Sequence, residues 1–331
     1  MRIAVIGGSG HIGSFLVPLL VRAGHRVLNL SRGTSRPYVD DRVWSDVTQI
    51  AVDRVAEDRD GTFGPRVAAL RPDAVIDLIC FTPASATALV AALRGGTGQL
   101  IHCGSIWRYG VSHKLPMRED DPSPPIGAYG TQKAAIAELL AAETRSGGLV
   151  TTVLQPGHIS GPGWMPIGPL GNHDPQVWYD LSAGREIAVP GLGAELMHHV
   201  HAADVAQAFA LALEHRDAAA GESFNVVAPS ALTVRGYLSI AAGWFGQPLH
   251  IRSVSWEEFR AGTTPELAAT SWDHLSRSQY ASIDKARSLL GFAPVAEPET
   301  AILAGIRWLI ENNHLDVAHP LQPAAADHPD R

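Results

Sequence analysis

The chain has 331 residues, 46% of them hydrophobic, with 33 acidic against 26 basic side chains and a formal net charge of −7 at pH 7. A chain of this length buries roughly three quarters of the surface its unfolded form exposes, enough for one large domain or two smaller ones. The acidic balance, with no basic run longer than two residues, argues against a sequence-independent nucleic-acid binder, and no apolar run is long enough for a membrane span or a secretory leader.

Arg2 to Ile6 is a short apolar run suited to a buried parallel strand. Gly7, Gly8, Gly10 and Gly13 punctuate the turn that follows, and Ile12, Phe15, Leu16, Leu19 and Leu20 then take up helical spacing. Strand, glycine turn and helix in that order are the context in which a glycine-rich motif binds a dinucleotide. One glycine permits the turn, one lets the main chain approach a pyrophosphate, and one packs the helix on the strand. Gly7, Gly10, His11, Ile12 and Gly13 are therefore expected at the cofactor.

Gly24 ends the first helix and His25 to Leu30 reads as the second strand. An acidic residue at its end would hold the ribose 2′-hydroxyl of NAD, whereas an arginine holds the 2′-phosphate of NADP. Ser31 and Arg32 stand there, with no carboxylate before Asp40, so NADP(H) is favoured over NAD(H). Arg42 to Trp44 reads as a third strand leading into Asp46 and Val47. Ala74 to Phe81 reads as a central strand, in which Asp77 needs a partner to be buried. Gln99 to Cys103 is the fifth strand, Thr151 to Leu154 the sixth, and Ser223 to Val227 a later return. Cys80 and Cys103, the two cysteines, are read as buried reduced thiols of a cytoplasmic protein. Strands alternating with helices indicate a doubly wound parallel sheet.

Tyr129 and Lys133 lie four apart at the start of a strong helix-forming stretch, hence on one face. An ammonium beside a phenol stabilises the phenolate, so Lys133 is expected to lower the pKa of Tyr129 and fit it for proton transfer to a carbonyl or alcohol oxygen. Ser105, at the end of the fifth strand, is placed to hold the same oxygen.

With these residues the chain resembles the extended short-chain dehydrogenase/reductase family, the NAD-dependent epimerase/dehydratase group, over about residues 1–312. The likeness rests on GGSGHIG at 7–13, Asp46-Val47, Ser105 ahead of Tyr109-Gly110, Tyr129 and Lys133, LQPGHISGPG at 154–163, VHAADV at 200–205 and Asp284-Lys285-Ala286 with Leu290-Gly291. The resemblance implies that Tyr129 is the acid/base, that Lys133 holds the nicotinamide ribose, that Ser105 polarises the substrate oxygen and that Asp46 contacts adenine. It also implies Leu78, Ile79, Cys80, Pro156 and His158 beside the cofactor, and a homodimer. Departures matter as much. His158 replaces an asparagine usual in members that take nucleotide-diphosphate sugars, Met197-His198 replaces an arginine-aspartate pair, and Ile106-Trp107 replaces the acid pair of the dehydratases.

The Gly/Pro-rich segment 161–175 is expected to wall the substrate site, with Trp107, His158, Trp164, Asn172 and His173 as substrate residues. The spacing of His198, His199 and His201 does not suit a metal, and none is expected. The overall expectation is a Rossmann-type α/β fold with a smaller C-terminal α/β substrate-binding domain. Residues 1–157 and about 195–227 form the NADP(H)-binding part, about 158–194 and 228–315 the substrate part, and 316–331 a disordered tail. The expected activity is hydride transfer to or from a small-molecule carbonyl, alcohol or sugar. A sugar or nucleotide-sugar epimerase with retained NAD(P) is the alternative, and a non-catalytic nicotinamide sensor the third.

Overall fold

The computed structural model describes residues 1–121 and 124–322. Strands β1 (Arg2–Ile6), β2 (Arg26–Ser31), β3 (Thr48–Ala51), β4 (Ala74–Asp77), β5 (Gln99–Cys103) and β6 (Thr151–Pro156) join Ser223–Val226 in a seven-stranded sheet. Every pairing in it is parallel, in the order β3-β2-β1-β4-β5-β6 and then Ser223–Val226. The strand order reverses between β1 and β4, so the carboxyl ends of these two strands open a crevice at the switch point.

Helices α1 (Gly13–Arg22), α2 (Arg54–Arg59), α3 (Phe63–Ala69), α4 (Pro83–Leu93) and α5 (Gly127–Arg145) connect the strands. One face of the sheet packs Leu16, Val17 and Leu20 of α1 with Val205 and Phe209 of the helix Ala202–Glu214. The other face packs Phe63, Val67, Leu89, Val90, Ile136 and Leu140 from α3, α4 and α5. A third core, built around Trp178, Met197, Tyr237, Leu238, Ile302 and Ile306, belongs to the smaller C-terminal unit. No helix among the described residues is long and apolar enough to cross a membrane.

Three expectations are corrected. Arg42–Asp46 is a 3-10 turn rather than a strand, because the Asp41 carboxylate accepts from the Val43 amide at 3.1 Å and caps it. The strand comes next, as β3, an edge strand with no buried residue. Asp46 therefore precedes the third strand, and Asp53 follows it as the N-cap of α2. The central strand β4 stops at Asp77 rather than Phe81, since the Asp77 carboxylate accepts from the Ile79 amide at 3.2 Å and turns the chain. Residues 316–322, expected to be disordered, lie against the smaller unit. Val317 and Leu321 pack on its core, the Ala318 amide donates to Ser182 Oγ at 3.1 Å, and the Gln322 amide donates to the Trp244 carbonyl at 2.7 Å. Residues 323–331 of that expected tail lie outside the described residues.

The partner that Asp77 needs is Arg54, whose Nη1 stands 2.6 Å from the carboxylate, both side chains being buried. Arg54 also donates to Ser85 Oγ at 2.9 Å, and Ser85 donates to Asp58. Asp77, Cys80 and His102 form one close buried group. The guanidinium already neutralises its carboxylate and would repel a cation, and burial pushes the Cys80 thiol up to about 11. This group is a polar brace under the strand ends.

Candidate active site

The turn after β1 is shaped by backbone alone. Gly7 has φ +86°, in the region only glycine enters freely, and a Cβ on Gly13 would lie 2.1 Å from the Gly8 carbonyl oxygen. Helix α1 then begins at Gly13 with no side-chain cap; the Ser14 and Phe15 amides donate to the Gly10 and Ile12 carbonyls at 2.9 and 3.1 Å, so the helix brings the positive end of its dipole to the turn. The residues present thus fit a dinucleotide pyrophosphate: a close-approach turn, a helix N-terminus, and apolar walls from Leu78, Ile79 and Pro156.

Ser105 leaves the end of β5 and caps the short turn Ile106–Arg108, accepting from the Trp107 amide at 3.2 Å. Tyr129 sits in the first turn of α5 and Lys133 one turn later. The Lys133 ammonium is buried and donates to the carbonyls of Cys80 at 2.8 Å and Cys103 at 2.7 Å, thereby tying α5 to the ends of β4 and β5. It stands 5.7 Å from the centre of the Tyr129 ring. The electrostatics differ from the expectation. Desolvation outweighs every other influence and pushes the Tyr129 phenol up to about 12, a rise that the nearby Ser105 hydroxyl opposes. Tyr129 keeps 41% of its surface exposed, so the penalty arises at the hydroxyl rather than over the whole ring. Burial also lowers the pKa of Lys133. The pair is a neutral phenol beside an ammonium already held by two carbonyls.

A cavity of about 540 Å³ brings Gly7, Gly10, His11, Ile12, Leu78, Ile79, Ser105, Tyr129, Lys133, Pro156 and His158 together with Trp107, Trp164 and His173. The His11 ring stacks on Trp164 at 5.2 Å, and burial holds its pKa down at about 4. Among the described residues, Lys133 is the one charged side chain lining this space. Phe81 and His274, which no motif marks, line it too. Phe81 could have been found at the end of the apolar run 74–81, whereas nothing local marks His274.

Other expected residues stand apart from the cavity. Asn172 is buried, donating to Ser271 Oγ at 2.8 Å and accepting from the Asp174 amide at 2.9 Å, so it braces the loop instead of lining the cavity. Gly13 packs against Gly8, Cys80 is buried with its carbonyl on Lys133, and Ser31 accepts from the Gly33 amide at 3.3 Å. Arg32 and Asp46 are exposed outside the cavity, and Val47 is buried. Asp53, which follows β3, takes the position that Asp46 was expected to hold.

The second half of the motif pattern is structural. His198 Nε2 donates to the Ala228 carbonyl at 2.9 Å while its Nδ1 accepts from the Ala281 amide at 3.1 Å, which fixes the tautomer. His201 caps the helix Ala202–Glu214, and Asp204 accepts from the amides of Val295 and Ala296, each at 3.1 Å. Arg277 is buried, stacks on Trp107 with its guanidinium 4.0 Å from the ring centre, and donates to the carbonyls of Ile126 and Asp273. Both of its terminal nitrogens donate to backbone carbonyls, its Nε has no partner, and the side chain does not line the cavity.

A parallel sheet with its glycine turn at the switch point, and a tyrosine and lysine one helical turn apart at the strand ends, define a Rossmann-fold enzyme of the nicotinamide-dinucleotide class. Residues 3–227 match the NAD dependent epimerase/dehydratase family, and the chain belongs to that family, whose members are NAD(P)-dependent oxidoreductases and epimerases. It is 28% identical over 279 residues to 2′-dehydrokanamycin reductase of Streptomyces kanamyceticus, covering 83% of this chain and 76% of that protein. It is 26% identical to UDP-glucose 4-epimerase of Lacticaseibacillus casei over 95% of this chain and 98% of that one. Among solved structures, UDP-glucose 4-epimerase of Thermotoga maritima superposes with a TM-score of 0.72 at 20% identity, over 95% of this chain and 100% of that chain.

Proposed function

We propose that this enzyme is an NADP(H)-dependent oxidoreductase acting on the carbonyl or alcohol carbon of a small uncharged molecule. The observation that carries the reading is the cavity lining: aromatic and aliphatic walls, neutral histidines and, among the described residues, no charged side chain besides Lys133. A nucleotide diphosphate needs charge-assisted donors, and bidentate arginine is the strongest of them. Arg277 is committed to Trp107 and two backbone carbonyls, while Met197 and His198 are buried in the interior. Similarity to a reductase is compatible with the same reading.

When bound, the nicotinamide supplies or accepts the hydride. Tyr129, neutral at pH 7, delivers its proton to the developing alkoxide, and Ser105 holds that oxygen. Lys133 fixes the strand ends against α5 and gives the site its one positive charge. Leu78, Ile79 and Pro156 exclude water from the transfer. The adenosine end is read by Ser31 and Arg32, and Asp53, which follows β3, takes the adenine contact that the resemblance gives to Asp46.

Tyr129→Phe is expected to lower kcat/KM by about 10²–10⁴-fold, the usual worth of a positioned proton donor, with NADPH affinity retained. Because the phenol titrates near 12, reduction by NADPH should be flat in rate from about pH 6 to 9, whereas alcohol oxidation, which needs the phenolate, should rise with pH. The decisive assay follows net NADPH loss against ketones, aldehydes and nucleotide sugars. Isomerisation of a nucleotide sugar without net loss of cofactor would overturn the reading in favour of an epimerase.

A further inference from the structure

We propose that His274 determines substrate specificity by accepting a hydrogen bond from a hydroxyl of the substrate, one indole ring away from the reacting carbonyl. This deepens the reading above and rests on it: the substrate class becomes an uncharged hydroxylated ketone.

The tautomer of His274 is set by backbone. The ring ends the helix Pro265–Leu275, and its Nδ1 lies 2.9 Å from the Thr270 carbonyl, one turn earlier. A carbonyl only accepts, so Nδ1 carries the proton and Nε2 is left as a bare lone pair. That nitrogen has no partner in the described chain, on a ring that lines the cavity. The ring stands edge-on to Trp107 at 4.7 Å, and Trp107 stands edge-on to Tyr129 at 5.8 Å. Acceptor and proton donor thus flank a single indole. Arg277 stacks at 4.0 Å on that same indole, which fixes the spacing.

The neighbouring His158 ring lies 5.1 Å from His274, and neither of its nitrogens has a partner. Burial lowers the pKa of both rings, that of His274 to about 4, so this end of the cavity offers neutral imidazoles at physiological pH. The nearby cation, Arg277, is stacked on Trp107 and does not line the cavity, so a phosphate or carboxylate would meet no charge-assisted donor on this part of the wall. A hydroxyl, by contrast, meets a fixed acceptor, and a substrate lacking it leaves the lone pair desolvated and unpaired.

The test uses purified full-length protein with NADPH and four ketones: cyclohexanone and its 2-, 3- and 4-hydroxy derivatives. At least one hydroxylated isomer should exceed cyclohexanone in kcat/KM by about tenfold, which corresponds to one well-made hydrogen bond. His274→Phe should bring that ratio to within about twofold, and His274→Gln, whose amide oxygen accepts, should restore part of it. Absence of the preference in the wild type, or its survival in His274→Phe, overturns the proposal. So does a preference for dihydroxyacetone phosphate over dihydroxyacetone. If no ketone consumes NADPH, the reductase reading fails on its own. The ratio is then read from dissociation constants measured by tryptophan fluorescence with NADPH bound, where a preference lost in His274→Phe supports the role of His274 and an unchanged one refutes it.

Discussion

The two ends of the one cavity are built by different means. At the dinucleotide end the surface is backbone: Gly7 in a left-handed turn, Gly13 against the Gly8 carbonyl, and the uncapped start of α1. At the substrate end it is side chains from distant segments: Trp107 after β5, His158 after β6, Trp164 in the Gly/Pro-rich loop and His274 on a late helix. A backbone site is specified by few residues at fixed spacing and tolerates no Cβ. A side-chain site is specified by tertiary packing and tolerates exchange, which is how one fold serves many substrates.

The largest effect that would separate the two ends comes from Gly13→Ala. Its Cβ would fall 2.1 Å from a carbonyl oxygen that no side-chain rotation can move. Dinucleotide binding should be lost by more than about a hundredfold, measured by NADPH fluorescence titration, since α1 must shift away from the turn that presents its amides. Retained affinity would mean that the cradle is not where the pyrophosphate sits.

Acid should break both ends at once. His11, His102, His198 and His199 are buried, and burial holds their pKa values at about 4, 3, 4 and 3, below the ordinary 6.5. In the unfolded chain each takes up a proton below pH 6.5, whereas in the folded chain each stays neutral until about pH 3–4. Between those values the unfolded state binds more protons, so stability falls as pH falls, by up to about 1.4 kcal/mol per pH unit for each fully engaged histidine. Unfolding midpoints in urea should be level from pH 7 to 8 and drop steeply from pH 6.5 to 5. A flat profile would refute the buried neutral set.

How much of this was legible in the sequence follows the same division. Strands β1 and β5 fall at the predicted residues because their apolar runs are buried on both faces. The sequence misplaces strand β3 because none of its residues is buried and no apolar alternation marks it, and so it points to Asp46 where Asp53 stands. Strand-end position points to Ser105 and helical spacing to Tyr129 and Lys133, and the three line the same cavity. The sign of the Tyr129 shift was not foreseeable, because it depends on how the folded chain desolvates the phenol and on the two carbonyls that already hold Lys133. His274 was invisible for the reason that makes it interesting: it reaches Trp107 only through folding. Asn172 failed in the opposite sense, since a polar residue in a Gly/Pro-rich wall looks like a ligand when its task is to satisfy the loop. Asn172→Ala should therefore cost about 1–3 kcal/mol of stability, as expected for buried partners left unpaired, with KM unmoved. A rise in KM without loss of stability would return it to the substrate.

The smallest expected effect tests the one side-chain element of the backbone-built end. Arg32 follows β2 on an exposed loop, so any grip on a 2′-phosphate is made in water and screened by salt. Exposed ion pairs contribute about 0.2–1 kcal/mol, so Arg32→Ala should reduce the ratio of NADPH to NADH affinity by no more than about fivefold at moderate ionic strength. The loss should grow as salt is lowered, whereas NADH affinity, which involves no such charge, should stay constant. A much larger loss, insensitive to salt, would mean that the loop closes over the phosphate and desolvates the pair. The adenosine end would then be a side-chain site like the other, and the division between the two ends would hold only for the pyrophosphate turn.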